Sequence, residues 1–262
     1  MSTKPLIIFD SGIGGLSILK VLLSQSISYP ILYFADQAYF PYGSKSPRLL
    51  KHRLLKIFHW FAQLKPLGVV VACNTATAIS LDALRHRFSF PIFGIEPVIK
   101  PLSKFQPTLL LATPVTLQSS RTKALIKRYQ PRQFYYYPSK HLASYIETMS
   151  VSKIKAELLK IKDNYDLQFQ AIGLSCTHYP LVKPLIVQTF SSATIIEPSL
   201  AVVKHLIKTL SLTYTSLLSQ QLVWVTTGDT YFFSQQLRYY LQISAKPLKI
   251  DLESKDHLQL FS

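Results

Sequence analysis

The 262-residue chain carries 29 Lys and Arg against 13 Asp and Glu, a formal charge of +16, and 48% of its residues are hydrophobic. That length and apolar content fit one large domain or two ordinary ones and argue against disorder. No stretch approaches the roughly 20 uncharged apolar residues of a membrane span, and two cysteines make no disulfide framework.

The N-terminus, Met1-Ser2-Thr3-Lys4-Pro5, runs straight into a strand without the charged region, long apolar core and cleavage site of a signal peptide. A cytoplasmic, soluble protein without a membrane partner is expected. Leu6–Phe9 is that first strand, and Asp10-Ser11-Gly12-Ile13-Gly14-Gly15 leads from it into a helix over Leu16–Leu22. The glycines do not keep the Gly-x-Gly-x-x-Gly spacing of a dinucleotide site. A second strand, Ile31–Phe34, precedes Asp36 and the loop Phe40–Ser46; Pro47 then opens a helix to about Leu64. The apolar run Gly68–Ala72 ends at Cys73-Asn74-Thr75, and a short strand at Pro91–Phe93 ends before Glu96-Pro97. Leu109–Leu111, Phe134–Tyr137, Ala171–Leu174 and Thr194–Ile196 read as further strands, ending near Thr113, Ser139, Cys176 and Glu197-Pro198. A helix over Leu200–Leu210 and a last strand, Leu222–Thr226, follow. Strands alternating with helices at this spacing predict parallel sheets with crossover helices.

An offset of 103 residues carries Cys73 onto Cys176, Ile31–Phe34 onto Phe134–Tyr137 and the Leu6–Asp10 region onto Leu109–Thr113. Four strand ends recur in one order, which argues for two similar half-domains. Ligands of open α/β sheets bind outside the carboxyl ends of the strands, so Asp10, Cys73, Thr113 and Cys176 are expected at one shared crevice. Thiols there can act as nucleophiles, redox centres, metal ligands or acid/bases. A metal is poorly supported, because no Cys-x-x-Cys or His/Cys cluster accompanies either residue. The basic residues gather at Lys45–Arg53, Arg121–Arg132 and Lys153–Lys162, each with apolar residues at helical spacing. They read as solvated helix faces, and with no recognised nucleic-acid motif a nucleic-acid partner is not expected.

Five segments taken together resemble the bacterial glutamate racemases: Phe9-Asp10-Ser11-Gly12-Ile13-Gly14-Gly15-Leu16, Pro41-Tyr42-Gly43-Ser44-Lys45-Ser46, Ala72-Cys73-Asn74-Thr75-Ala76, Ala112-Thr113-Pro114-Val115-Thr116 and Cys176-Thr177-His178-Tyr179-Pro180-Leu181. The resemblance runs from about residue 5 to 235, in family order. It implies two Rossmann-like or flavodoxin-like half-domains related by pseudo-two-fold symmetry, with the site between them. It implies 1–97 plus 208–262 as one domain and 98–207 as the other. The implied reaction is cofactor-independent interconversion of L- and D-glutamate, which would supply D-glutamate for peptidoglycan synthesis. Cys73 and Cys176 would be the two acid/bases, assisted by Asp10 and His178. Ser11, Tyr42, Gly43, Asn74, Thr75, Thr113, Thr116 and Thr177, with Asp10 and His178, would bind the substrate. A homodimer stays open, as do racemisation of aspartate and a binding role such as DNA gyrase inhibition on a racemase scaffold. The departures are local: Ser175 stands where family members usually have Gly, and Ala35-Asp36-Gln37 replaces Gly-Asp-Thr. Tyr137–Ala143 replaces a Cys-Pro…Val-Pro pattern, and Glu147 aligns with a family acid only across an insertion.

Overall fold

The computed structural model of the protein describes residues 4–25, 29–212 and 221–252; the parts of the expected first domain at 1–3, 26–28, 213–220 and 253–262 lie outside them. Strands β1 (Leu6–Asp10), β2 (Ile31–Ala35), β3 (Gly68–Val71) and β4 (Ile92–Gly94) pair in the order β2-β1-β3-β4. Strands β5 (Thr108–Ala112), β6 (Phe134–Pro138), β7 (Ala171–Ser175) and β8 (Thr194–Ile196) repeat it as β6-β5-β7-β8. All of these pairings are parallel, and the registers correspond: Leu6 faces Ile31 and Gly68, and Thr108 faces Phe134 and Ala171. Strand starts match the 103-residue offset to within one residue. The two half-domains expected from the repeat are therefore present as two parallel sheets.

The last expected strand, β9 (Leu222–Thr226), widens the first sheet by pairing with β2, Leu222 opposite Ile31. Beyond it lies β10 (Leu248–Lys249), which the sequence does not reveal, because its two residues are exposed and carry no apolar run. The central strands read as unbroken apolar runs because both faces of a parallel sheet are covered by crossover helices. Ile7 and Ile8 accordingly point into different apolar clusters.

The helices are α1 (Leu16–Leu23), α2 (Pro47–Gln63), α3 (Asn74–Arg87), α4 (Ile99–Leu102), α5 (Pro114–Gln118), α6 (Ser120–Tyr129), α7 (Leu142–Glu147), α8 (Val151–Asp163), α9 (Lys183–Thr189), α10 (Ser199–Leu210) and α11 (Thr230–Leu241). Helix α2 starts as expected: Pro47 takes the first position, and the Ser46 hydroxyl accepts the Leu49 N–H at 3.3 Å. The boundary expected between residues 207 and 208 falls inside α10, which packs against α1 and β4. One apolar cluster joins the halves: Leu6, Ile8 and Val70 belong to it, together with Leu109, Leu111, Ile172 and Leu174. That shared core holds the carboxyl ends of β1, β3, β5 and β7 around one cleft.

Candidate active site

Cys73 caps the start of α3 just beyond β3, and Cys176 directly follows β7; both are free and buried. They line one cleft of about 540 Å³. Of the residues expected there, Ser11, Tyr42, Gly43, Asn74, Thr75, Thr113, Thr177 and His178 also line it. Asp10 lies beneath the surface, its Oδ1 accepting the Gly12 N–H at 2.8 Å and its Oδ2 the Thr177 hydroxyl at 2.9 Å. Thr116, expected at the substrate, does not reach the cleft. It is fully buried, accepts the Thr113 hydroxyl at 2.9 Å and returns its N–H to Thr113 Oγ1 at 3.3 Å. Thr113 is the N-cap of α5, so Thr116 orients a cleft residue instead of being one.

Tyr42 lines the cleft but spends its hydroxyl on Asp36 Oδ2, at 2.6 Å. Arg53 grips the same carboxylate through two nitrogens, at 2.6 and 3.0 Å. Asn74 lends Nδ2 to the Ile95 carbonyl at 3.5 Å, and its buried Oδ1 has no hydrogen-bond partner. Thr75 and Thr113 meet across the two halves with their hydroxyl oxygens 3.2 Å apart.

Glu147, whose role the alignment left open, sits at the end of α7 and is buried behind the cleft. Its Oε2 lies 2.8 Å from His178 Nε2 and accepts the Ile13 N–H at 3.0 Å. Gln37 and Gln236 donate to its Oε1 at 2.7 and 3.2 Å. The glycine loop after β1 makes room for this. A Cβ on Gly12 would collide with the Glu147 carboxylate, and one on Gly14 would lie 2.5 Å from both Thr177 Oγ1 and His178 Nδ1. Neither glycine has positive φ, so close approach is what the positions demand. Phe40, Lys140 and His141 also line the cleft without having been read as site residues, as does Ser139, read only as the residue that follows a strand. The Phe40 ring lies 5.3 Å from that of His178, tilted by 40°.

The charges differ on the two sides. Burial, reinforced by the Asp10 carboxylate, pushes the Cys73 thiol up to about 12; the Ala76 N–H and the Ser11 hydroxyl, 3.6 Å from the sulfur, oppose it. Asp10 is itself raised by burial, against the pull of His178, Gly12 and Thr177. Burial alone would lower His178, but its bonds to Cys176 and Glu147 outweigh it and hold the imidazole well above its ordinary range. Glu147 shows the converse: burial would raise it, and His178, Gln37 and the Ile13 N–H bring it down. The pair is thus an ion pair at neutral pH, with His178 Nδ1 4.0 Å from the Cys176 sulfur.

No protein-family model matches the chain. It is 37% identical over 216 residues to the glutamate racemase of Pseudomonas syringae, covering 79% of this chain and 78% of that one. To the glutamate racemase of Ralstonia pickettii it is 34% identical over 215 residues, 79% and 76% of the two chains. The chain belongs to the glutamate racemase family. It is accordingly an isomerase, a racemase. Among solved structures, the Francisella tularensis glutamate racemase in complex with D-glutamate superposes with a TM-score of 0.82 at 26% identity, over 97% of this chain and 99% of that one. The Escherichia coli glutamate racemase in complex with L-glutamate and the activator UDP-MurNAc-ala gives 0.77 at 27% identity, over 91% and 94%.

The departures from the family motifs have structural roles here. The Ser175 hydroxyl accepts the Val98 N–H at 3.1 Å, tying β7 to the segment that enters the second half. Gln37 bridges Glu147, Gln236 and the Thr226 hydroxyl, which donates to its Oε1 at 2.8 Å. No helix among the described residues is long and apolar enough to cross a membrane.

Proposed function

We propose that the protein interconverts L- and D-glutamate without a cofactor, Cys73 and Cys176 exchanging a proton with opposite faces of the α-carbon. The observation that carries this reading is the arrival of the two thiols, from equivalent strand ends of two half-domains, at one cleft. One sulfur as thiolate takes the α-proton, the α-carbon becomes planar, and the other sulfur as thiol returns a proton to the opposite face. Cys73, pushed up to about 12, is a thiol at neutral pH in the ligand-free cleft and is ready to donate. The His178 ring faces Cys176, its Nδ1 4.0 Å from that sulfur. Glutamate brings an ammonium group toward Asp10 and the unpartnered Asn74 Oδ1, and that positive charge eases formation of a thiolate at Cys73.

The first-turn amides of α3, which have no intrahelical acceptors, receive a carboxylate, and Thr75, Thr113 and Thr177 join them by turning hydroxyls that in the ligand-free cleft serve one another, Thr116 and Asp10. Glutamate is preferred to aspartate because the relatives at 32–37% identity are glutamate racemases. The D-glutamate formed would feed peptidoglycan synthesis, and free thiols at the centre of the chemistry fit the reducing cytoplasm.

The test is purified, chelator-dialysed protein with L-glutamate in deuterated water. Loss of ellipticity should accompany α-deuterium incorporation, and Cys73→Ser and Cys176→Ser should each abolish racemisation while leaving the fold intact. Activity that returns only with an added cofactor, or Ser variants that racemise normally, would overturn the reading.

A further inference from the structure

Each thiol needs a partner for the moment when it carries negative charge. For Cys73 the partner is visible: the Ser11 hydroxyl, 3.6 Å from the sulfur. Cys176 has His178 on one side, and behind it the chain turns sharply, the Tyr179 N–H donating to the Cys176 carbonyl at 3.1 Å. That turn folds the Tyr179 side chain back into the interior, where it is fully buried. Its hydroxyl has the Cys176 sulfur, Ser139 and Glu157 for neighbours, yet makes no hydrogen bond of ordinary geometry. A buried hydroxyl without a partner is costly, so its persistence beside a reacting atom calls for an explanation.

The surrounding bonds leave the Tyr179 proton uncommitted. Ser139 gives its own proton to Glu157 Oε1 at 2.8 Å and accepts the Leu142 N–H at 3.1 Å. Its remaining lone pair is a neutral acceptor, weaker than a thiolate. We propose that the Tyr179 hydroxyl is the donor that stabilises the Cys176 thiolate, the counterpart in the second half-domain of Ser11 in the first, with Ser139 and Glu157 holding the surrounding lattice. While Cys176 is a thiol, the hydroxyl's nearest acceptors, the sulfur and Ser139, are neutral, and Ser139 already occupies Glu157 Oε1. When the sulfur is ionised, it becomes a charged acceptor shared only with His178 on its other side. Tyr179 does not line the cleft, so it acts on the sulfur and not on the substrate.

This inference rests on the two-thiol reading, and the experiment separates the two. Because L- and D-glutamate have equal free energy, kcat/KM for racemisation is the same in both directions in every variant, so racemisation cannot report one face. Elimination from β-chloroglutamate can: a thiolate takes the α-proton while chloride leaves the β-carbon, a net loss of HCl that needs a single thiol. Cys73→Ser and Cys176→Ser should each eliminate from one enantiomer only, and not the same one. Adding Tyr179→Phe, which removes one oxygen and keeps the ring in the core, should slow elimination in the Cys73→Ser background by about ten- to a hundredfold. The alkaline displacement of that reaction's pH profile should accompany it, with KM unchanged. In the Cys176→Ser background the same change should leave elimination within about twofold, which also shows that the variant folds. Equal slowing in both backgrounds, or none in either, would overturn the role given to Tyr179. Single-cysteine variants without enantiomer preference would instead defeat the two-thiol reading, and this inference with it.

Discussion

Cys73 has the Asp10 carboxylate for a neighbour, whereas Cys176 has the His178 imidazolium. Equivalent positions in the repeat therefore hold thiols in unlike fields, and the Cys73 side is the one where burial and like charge act together. Its titration predicts reactivity, since only the thiolate is alkylated. In a ligand-free Cys176→Ser variant, iodoacetamide labelling of Cys73 should rise about tenfold per pH unit from 7 to beyond 10, without the plateau that an ordinary thiol of pKa near 8.5 shows. Saturating glutamate should occlude the residue. A plateau near pH 9 in the free protein would refute the perturbation. The sign for stability agrees: the unfolded thiol ionises before the folded one, so the contribution of Cys73 falls as pH rises through the unfolded value toward about 12.

Among the elements, the loop from β1 to α1 carries the heaviest demand, because the second half-domain docks on it. Gly14→Ala should displace Thr177 and His178, since the new methyl would sit 2.5 Å from polar atoms of each. Overpacking of this kind costs about 1–3 kcal/mol, and a misplacement near 1 Å costs about a hundredfold in rate. A fall in kcat of that order, with a lowered but still cooperative melt, is expected; wild-type kcat would show that the loop does not set the geometry of His178. These glycines were legible as a cluster, but the purpose of Gly12 and Gly14 was not, because the atoms that forbid a side chain there lie more than 100 residues away in sequence. The central strands were legible from unbroken apolar runs, and the site residues at their ends followed from the strand-end rule. Glu147 escaped it: it ends a six-residue helix in the crossover from β6, where the chain departs from the family pattern. Helix α11 completes its surroundings from the far end of the chain, with Gln236 donating to the Glu147 carbonyl at 2.6 Å and Tyr240 to that of Ile146 at 2.6 Å. Thr116 lies beneath the cleft surface, bonded to Thr113. A hydroxyl three residues after an N-cap faces the cap as readily as a ligand, and spacing alone does not distinguish the two.

At the scale of the whole molecule, the question is whether two half-domains behave as two folding units. The shared cluster, to which side chains of β1, β3, β5 and β7 all belong, argues that neither half can open without exposing the core of the other. The α11 bonds to α7 add polar contacts between the same halves. Unfolding should therefore be a single cooperative transition despite the chain's length. The tryptophans make this testable, because both, Trp60 and Trp224, lie in the elements of the first sheet and its cover. Their emission reports that half, whereas far-ultraviolet circular dichroism reports the helices of both. In urea the two signals should give one midpoint and one slope. Glutamate, bound between both halves as proposed, should move them together, by about 2.7 kcal/mol at a hundredfold excess over its dissociation constant. A tryptophan transition that precedes the dichroism signal, or a ligand that shifts only one of them, would mean that the halves unfold separately and that the common core does not couple them.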